Sequence, residues 1–162
     1  GTVITLSPDF SGFLGIQNKG LFFSFFTGSS LLVRFIGGKL SDHFGRILIL
    51  RYSTLCLCLS MIIIGFASDA IIYFAGAFLF GVGYGLNSPT LFAWAIDLSP
   101  KKSIGRGIST LFIFLELGIG MGSLISGSLY QGFNERFPWL FMISAFFSLI
   151  AFIFVLNKKD DS

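Results

Sequence analysis

Five stretches of the chain, at about 20–40, 47–66, 70–96, 107–130 and 137–156, are apolar over the length that a helix needs to cross a bilayer, about 20 residues. Arg34 and Lys39 interrupt the first and Arg51 the second; the third and fifth carry no charge, and the fourth carries only Glu116. Backbone amides in hydrocarbon must pair within their own segment, so these stretches are read as helices and not as strands. The links between them, 41–46, 67–69, 97–106 and 131–136, are short, which makes consecutive helices antiparallel neighbours. The fold class that follows is an all-α integral membrane protein, a polytopic helical bundle in one transmembrane domain over 1–162.

Composition supports lipid as the solvent. The 162 residues are 54% hydrophobic and 12% charged, against about 25% charged in soluble domains, so there is too little polar surface to cover a core in water. The 22 Phe suit lipid-facing surfaces and the 20 Gly suit close helix approach. The net charge of +3 is too small to point to nucleic acid; acidic lipid is the expected counter-charge. Cys56 and Cys58 lie two apart on a helix and point in different directions, so neither a disulfide nor a metal site is expected. No charged n-region precedes an apolar core, so no signal peptide is read at the start. The apolar stretch Thr2–Leu6 followed by Pro8-Asp9 predicts the end of a truncated preceding helix over 1–8, and the chain is read as a fragment.

Lys and Arg set the orientation. One side collects Lys39, Arg46, Arg51, Lys101, Lys102, Arg106, Lys158 and Lys159; the other has Lys19 and Arg136. The first side is expected to be cytoplasmic, with the 41–46 hairpin and the C-terminus inside the cell membrane and the segment before Gly20 outside.

The stretch Gly38-x-Leu40-Ser41-Asp42-x-x-Gly45-Arg46 resembles the signature hairpin of the major facilitator superfamily of secondary transporters, which joins the second and third helices of a six-helix half on the cytoplasmic side. The family usually has a further basic residue after the Arg; here Ile47 stands there. Asp97-Leu98-Ser99-Pro100 with Arg106-Gly107 is similar to the family's link between the fourth and fifth helices, and the run 118–127 looks like its glycine-rich fifth helix, with Ser123 where a Pro is usual. The resemblance implies about five helices of one half. The short charged tail after the fifth span favours the C-terminal half, so the N-terminal half of the same transporter would be missing; an N-terminal half cut at the central loop is the alternative. It also implies alternating access around a cavity near the midplane, with Gly38, Asp42, Gly45 and Arg46 as a conformational hairpin, and the third span as a cavity wall.

Single residues sharpen this. Asp42 can cap the following helix, or pair with Arg46 four residues on. Arg34, about 9 Å from the end of its span, either snorkels to head groups or faces the bundle and pairs with an acid. Glu116 lies nine residues into its span, roughly 13.5 Å deep, where a carboxylate must be paired, protonated or in a cavity. It is read as a proton carrier or substrate contact, against a role as interhelical glue, with Gly120, Ser123 and Gly127 on its face. Tyr84, Asn87, Ser88, Pro89 and Thr90 make a polar patch after Gly81, Gly83 and Gly85, where the helix is expected to be weak and irregular. Tyr84, Asn87, Pro89 and Glu116 are therefore the expected cavity residues. Trp94 and Trp139 read as interfacial anchors and His43 as solvated. Gly81-x-Gly83-x-Gly85 lacks the strand and acidic residue of a dinucleotide site, and no nucleophile–base pair or metal cluster is visible, so no enzyme and no cofactor are expected. The expected function is transport of a small solute, with protons as the coupling ion if Glu116 titrates. The alternative is a membrane binding or scaffold protein without a transport cycle.

Overall fold

The computed structural model describes residues 1–158, and Gly38 only by its place in a helix; Lys159 and the extreme C-terminus, counted above toward orientation, lie outside the described residues. Six helices follow in order: α1 (Thr2–Phe13), α2 (Leu21–Phe44), α3 (Arg46–Gly65), α4 (Ala70–Asp97), α5 (Ile104–Tyr130) and, after a 3₁₀ turn at Asn134–Arg136, α6 (Phe137–Leu156). No strand occurs among the described residues. Each of the five expected spans is one of the helices α2 to α6. Four helical stretches, α3, α4, α5 and 134–156, are long and apolar enough to cross a membrane, while the apolar part of α2, Leu21–Gly37, is shorter.

Two boundaries differ from the sequence reading. Pro8 is expected to end the first helix, but α1 runs through it to Phe13. Pro8 forgoes one amide hydrogen bond. The continuation keeps Val3, Leu6, Phe10, Ser7 and Ser11 buried on one face. Burial of Leu6 and Phe10, at about 1.5–3 kcal/mol for a large apolar side chain, is of the size of the proline penalty. The second difference is the hairpin. The sequence reads 41–46 as a loop, yet α2 continues through Phe44 and α3 starts at Arg46. The reversal falls on Gly45 alone, at φ +89° and ψ 148°, a conformation open almost only to glycine.

Helix α4 is the centre of the bundle, packed on α2 along one side and α3 along the other; α6 lies against the far side of α3, and α5 against α1 and the edge of α4. The glycines of α4 account for this placement. A Cβ on Gly81 would overlap the Ser29 hydroxyl and the Phe26 carbonyl of α2, and one on Gly85 would lie 2.7 Å from the Ser30 carbonyl oxygen. Gly76 and Gly83 face α3 instead, where Cβ atoms would meet Ile64 at 2.6 Å and Leu57 at 3.0 Å. The expected weak, irregular helix is thus a continuous helix of 28 residues through the glycines and Pro89. Small residues let three backbones approach closely, which is how helices associate where lipid is as apolar as leucine. At its start Asp69 caps the helix, accepting from the Ile72 amide at 2.9 Å.

One apolar core, built on Leu6, Phe10, Phe22, Ile64, Tyr73, Ala77, Phe137 and Phe141, fills the end of the bundle where α1 finishes and α2 begins. A smaller cluster, Ile47, Leu50 and Val155 with Leu91 and Trp94 packed on it, closes the opposite end. Trp94 therefore packs within the bundle, whereas Trp139, 73% exposed, stands outward as an anchor can. Most large side chains of α5 and α6, Phe114, Leu124, Phe146 and Phe147 among them, are exposed. Such a surface has its natural solvent in lipid, and the chain is a multi-pass helical membrane protein.

Candidate functional site

A cavity of about 410 Å³ opens between α1, α2 and α4, with single contributions from Met61, Ile119 and Ser144. The α2 wall is one helical stripe, Phe23, Phe26, Thr27, Ser30, Leu31 and Arg34, at three- and four-residue spacings. Phe80 and Tyr84, one turn apart, supply the α4 wall. Phe26 lies against both of their rings, with centroids 5.2 Å from Phe80 and 5.6 Å from Tyr84. The Arg34 guanidinium sits over the Tyr84 ring, 5.7 Å from its centroid. Arg34 is exposed on the cavity wall, where its partner is an aromatic face in place of the expected acid.

The four expected cavity residues are not brought together. Tyr84 lines the cavity. The Asn87 side chain instead accepts from the Ser53 hydroxyl at 3.1 Å and ties α4 to α3. Pro89 is half-buried in α4, off the cavity wall. Glu116 is exposed in a separate shallow groove on the outer side of α5, with Phe112, Ile113, Leu117, Gly120, Met121 and Leu124. The glycine-rich face expected to pack with Glu116 divides. A Cβ on Gly120 would meet open space, while one on Gly122 would lie 3.3 Å from Gly1 and one on Gly127 would lie 3.9 Å from Thr5. The packed side of α5 runs through Gly122 and Ser126, whose hydroxyl donates to that of Thr2 at 2.8 Å. Helical position alone did not separate these two faces, because both are apolar.

The α2–α3 hairpin closes on a charged cluster. Arg46 donates to Asp42 at short range, to the Ser41 hydroxyl at 3.1 Å and, through Nε, to Asp97 Oδ2 at 3.1 Å. Asp42 does not cap α3, which starts without a side-chain cap. Gly45 sets the turn that aims Arg46 at both carboxylates. Asp97 ends α4, so one guanidinium joins the α2–α3 junction to a helix end 51 residues further along the chain. Asp97 was visible only as part of a link resembling the family's; its pairing with Arg46 needs the antiparallel return of α4. Exposure is 26% at the Arg46 side chain, 67% at Asp42 and 54% at Asp97.

Two further polar contacts were not legible in the sequence. Arg51 Nε and Nη2 donate to the carbonyls of Val155, Leu156 and Lys158 at 3.3, 3.1 and 2.6 Å, capping the C-terminal end of α6 with a cation. The Tyr73 hydroxyl donates to the Ser7 carbonyl at 2.9 Å, and Ser11 Oγ lies 3.2 Å from it, a buried polar tie between α4 and α1. Among the described residues no three His, Cys, Asp or Glu side chains gather as metal ligands would.

A model of the Major Facilitator Superfamily matches residues 2–161. The chain is 26% identical, over 99% of its length and 40% of the relative's, to an uncharacterized MFS-type transporter of Pseudomonas aeruginosa. It is also 26% identical to multidrug resistance protein 2 of Bacillus subtilis, over 98% of the chain and 40% of the relative, and 27% identical to the lincomycin resistance protein of Streptomyces lincolnensis, over 83% and 27%. The chain therefore spans about 40% of the length of the first of these curated relatives. With the helical bundle, the glycine-hinged hairpin and a match over nearly every residue, the chain belongs to the major facilitator superfamily.

Proposed function

We propose that this chain is one half-bundle of a secondary transporter that carries a small solute across the membrane by alternating access. The half is the C-terminal one, and the N-terminal half supplies the opposing wall of the cavity. The hairpin and the C-terminus face the cytoplasm, the side that gathers the Lys and Arg excess. Relatives named for multidrug and lincomycin resistance favour export of organic solutes.

The observation that carries the reading is the Arg46 cluster. It links three helix ends, with one half-buried guanidinium between two exposed carboxylates. Such pairs contribute only about 0–1 kcal/mol each, too little to hold the fold and enough to bias two conformations by several-fold. A tie of this strength at the base of α4 suits a contact that forms in one state and parts in the other. Glu116 is the acid inside a span that could carry a coupling proton, its outward face meeting the other half.

The test is solute flux in proteoliposomes holding the full-length polypeptide that carries these residues. Asp97→Asn is expected to change the transport rate several-fold while shifting the melting temperature little, and Glu116→Gln is expected to abolish solute-driven proton uptake. A wild-type protein that binds organic solutes but moves none would favour the binding-protein alternative. Unchanged proton flux in Glu116→Gln would end the coupling claim alone.

A further inference from the structure

We infer that the cavity takes amphipathic organic anions, with an apolar body against Phe26, Phe80 and Tyr84 and one negative group at Arg34. This substrate class rests on the transporter reading above and makes it specific. The volume, about 410 Å³, lies within the usual range of small-molecule pockets, about 300–1,000 Å³. The body site is defined by the three rings, held within 5.2–6.2 Å of one another on α2 and α4. Offset and tilted rings at that spacing present both faces and edges to a flat apolar guest.

The charge argument is sharper. Among the described residues, Arg34 is the one Lys, Arg, Asp or Glu side chain in the cavity lining. Among the described residues the ion pairs are those of Arg46, and no carboxylate reaches Arg34. Its partner is the Tyr84 ring, and a ring quadrupole attracts a cation without cancelling its charge. A guanidinium placed in the apolar stretch of α2, Leu21–Gly37, without a counter-ion is costly where lipid surrounds it. A carboxylate, sulfonate or phosphate monoester on a ligand would supply that counter-ion through a two-pronged hydrogen bond. A cationic ligand would be repelled there, and Glu116 does not offset this, since it lies in the separate groove on α5. Thr27 and Ser30 share the stripe with Arg34, so hydroxyls flank the path between the aromatic end and the charged end.

The test uses three probes of one shape: 1-naphthalenesulfonate, neutral 1-naphthalenemethanol and cationic 1-naphthylmethylammonium. They are titrated into the full-length polypeptide in nanodiscs and read by ligand fluorescence. The sulfonate is expected to bind about ten- to a hundredfold more tightly than the alcohol, and the ammonium more weakly than either. Arg34→Gln should remove the sulfonate's advantage over the alcohol, and Arg34→Lys should keep part of it. Equal binding of sulfonate and alcohol by the wild type, or an advantage that survives Arg34→Gln, would overturn the inference. Should Arg34→Gln bind neither probe, the order of sulfonate and ammonium on the wild type decides by itself. Flux separates the two proposals. A protein that binds the sulfonate through Arg34 and moves no probe keeps the anion site and loses the transport reading. One that moves the ammonium in preference to the sulfonate keeps transport and loses the anion class.

Discussion

Replacing Gly85 by alanine should wedge α4 away from α2 and cost the protein about 1–3 kcal/mol, the usual price of overpacking a close interface. The added Cβ would stand 2.7 Å from the Ser30 carbonyl oxygen and 3.0 Å from its Cα. Ordinary contact begins near 3.4 Å, so one backbone must move by about 0.7 Å relative to the other. The obstacle is main chain, which has no rotamer to change, and the strain therefore spreads along the α2–α4 contact. Opposing it, alanine is the better helix former by about 0.8–1.0 kcal/mol, so the net loss is smaller than the clash. Gly81→Ala should cost more, because its Cβ would overlap both the Phe26 carbonyl and the Ser29 hydroxyl. Gly28→Ala is the control: it lies on α2 with nothing within 4 Å of its Cβ, and propensity alone should leave it neutral or slightly stabilised. Thermal unfolding of the three variants in detergent, followed by fluorescence-detected size exclusion, gives the order. If Gly81→Ala and Gly85→Ala melt with or above Gly28→Ala, the close approach of α4 to α2 is not what those glycines serve.

Two other contacts give separate expectations. Arg51→Ala removes a cation from three C-terminal carbonyls of α6 and should lower stability by about 1–2 kcal/mol, with Arg51→Lys restoring only part as a point charge; an unshifted melting temperature in Arg51→Ala would deny the cap. Tyr73→Phe keeps the ring and removes the hydroxyl that donates to the Ser7 carbonyl, so it should cost about 1–2 kcal/mol in the same assay, and a wild-type melting point would mean that the buried α1–α4 tie contributes nothing.

The helices were legible because span length is a property of the chain alone: a run such as 137–156 has no soluble alternative and needs no neighbour to be recognised. The hairpin was legible as a charged turn between two apolar runs, but it reads as a loop over 41–46; the reversal on Gly45 alone, which lets α2 and α3 meet without a loop, depends on a backbone angle that the residue pattern does not show. What failed in the reading were questions of facing. In water, polarity marks the outward side of a helix; in α5 apolar residues cover every side, and Glu116 with Gly120 could be given to a packed face as readily as to the open one. The deciding information lay in the partners. Gly122 and Ser126 meet the start of α1, so the side bearing Glu116 turns away from it. The same holds for α4, where glycines at 81 and 85 against α2, and at 76 and 83 against α3, divide one helix between two neighbours. Read locally they predict a weak helix; read as pairs four and seven residues apart they mark two contact faces. Asn87 falls on the α3 side of that division, bonded to Ser53, and Tyr84 on the side of α2 with Arg34. In a helix without a polar face, it is the spacing of the smallest residues that shows which larger ones line the cavity.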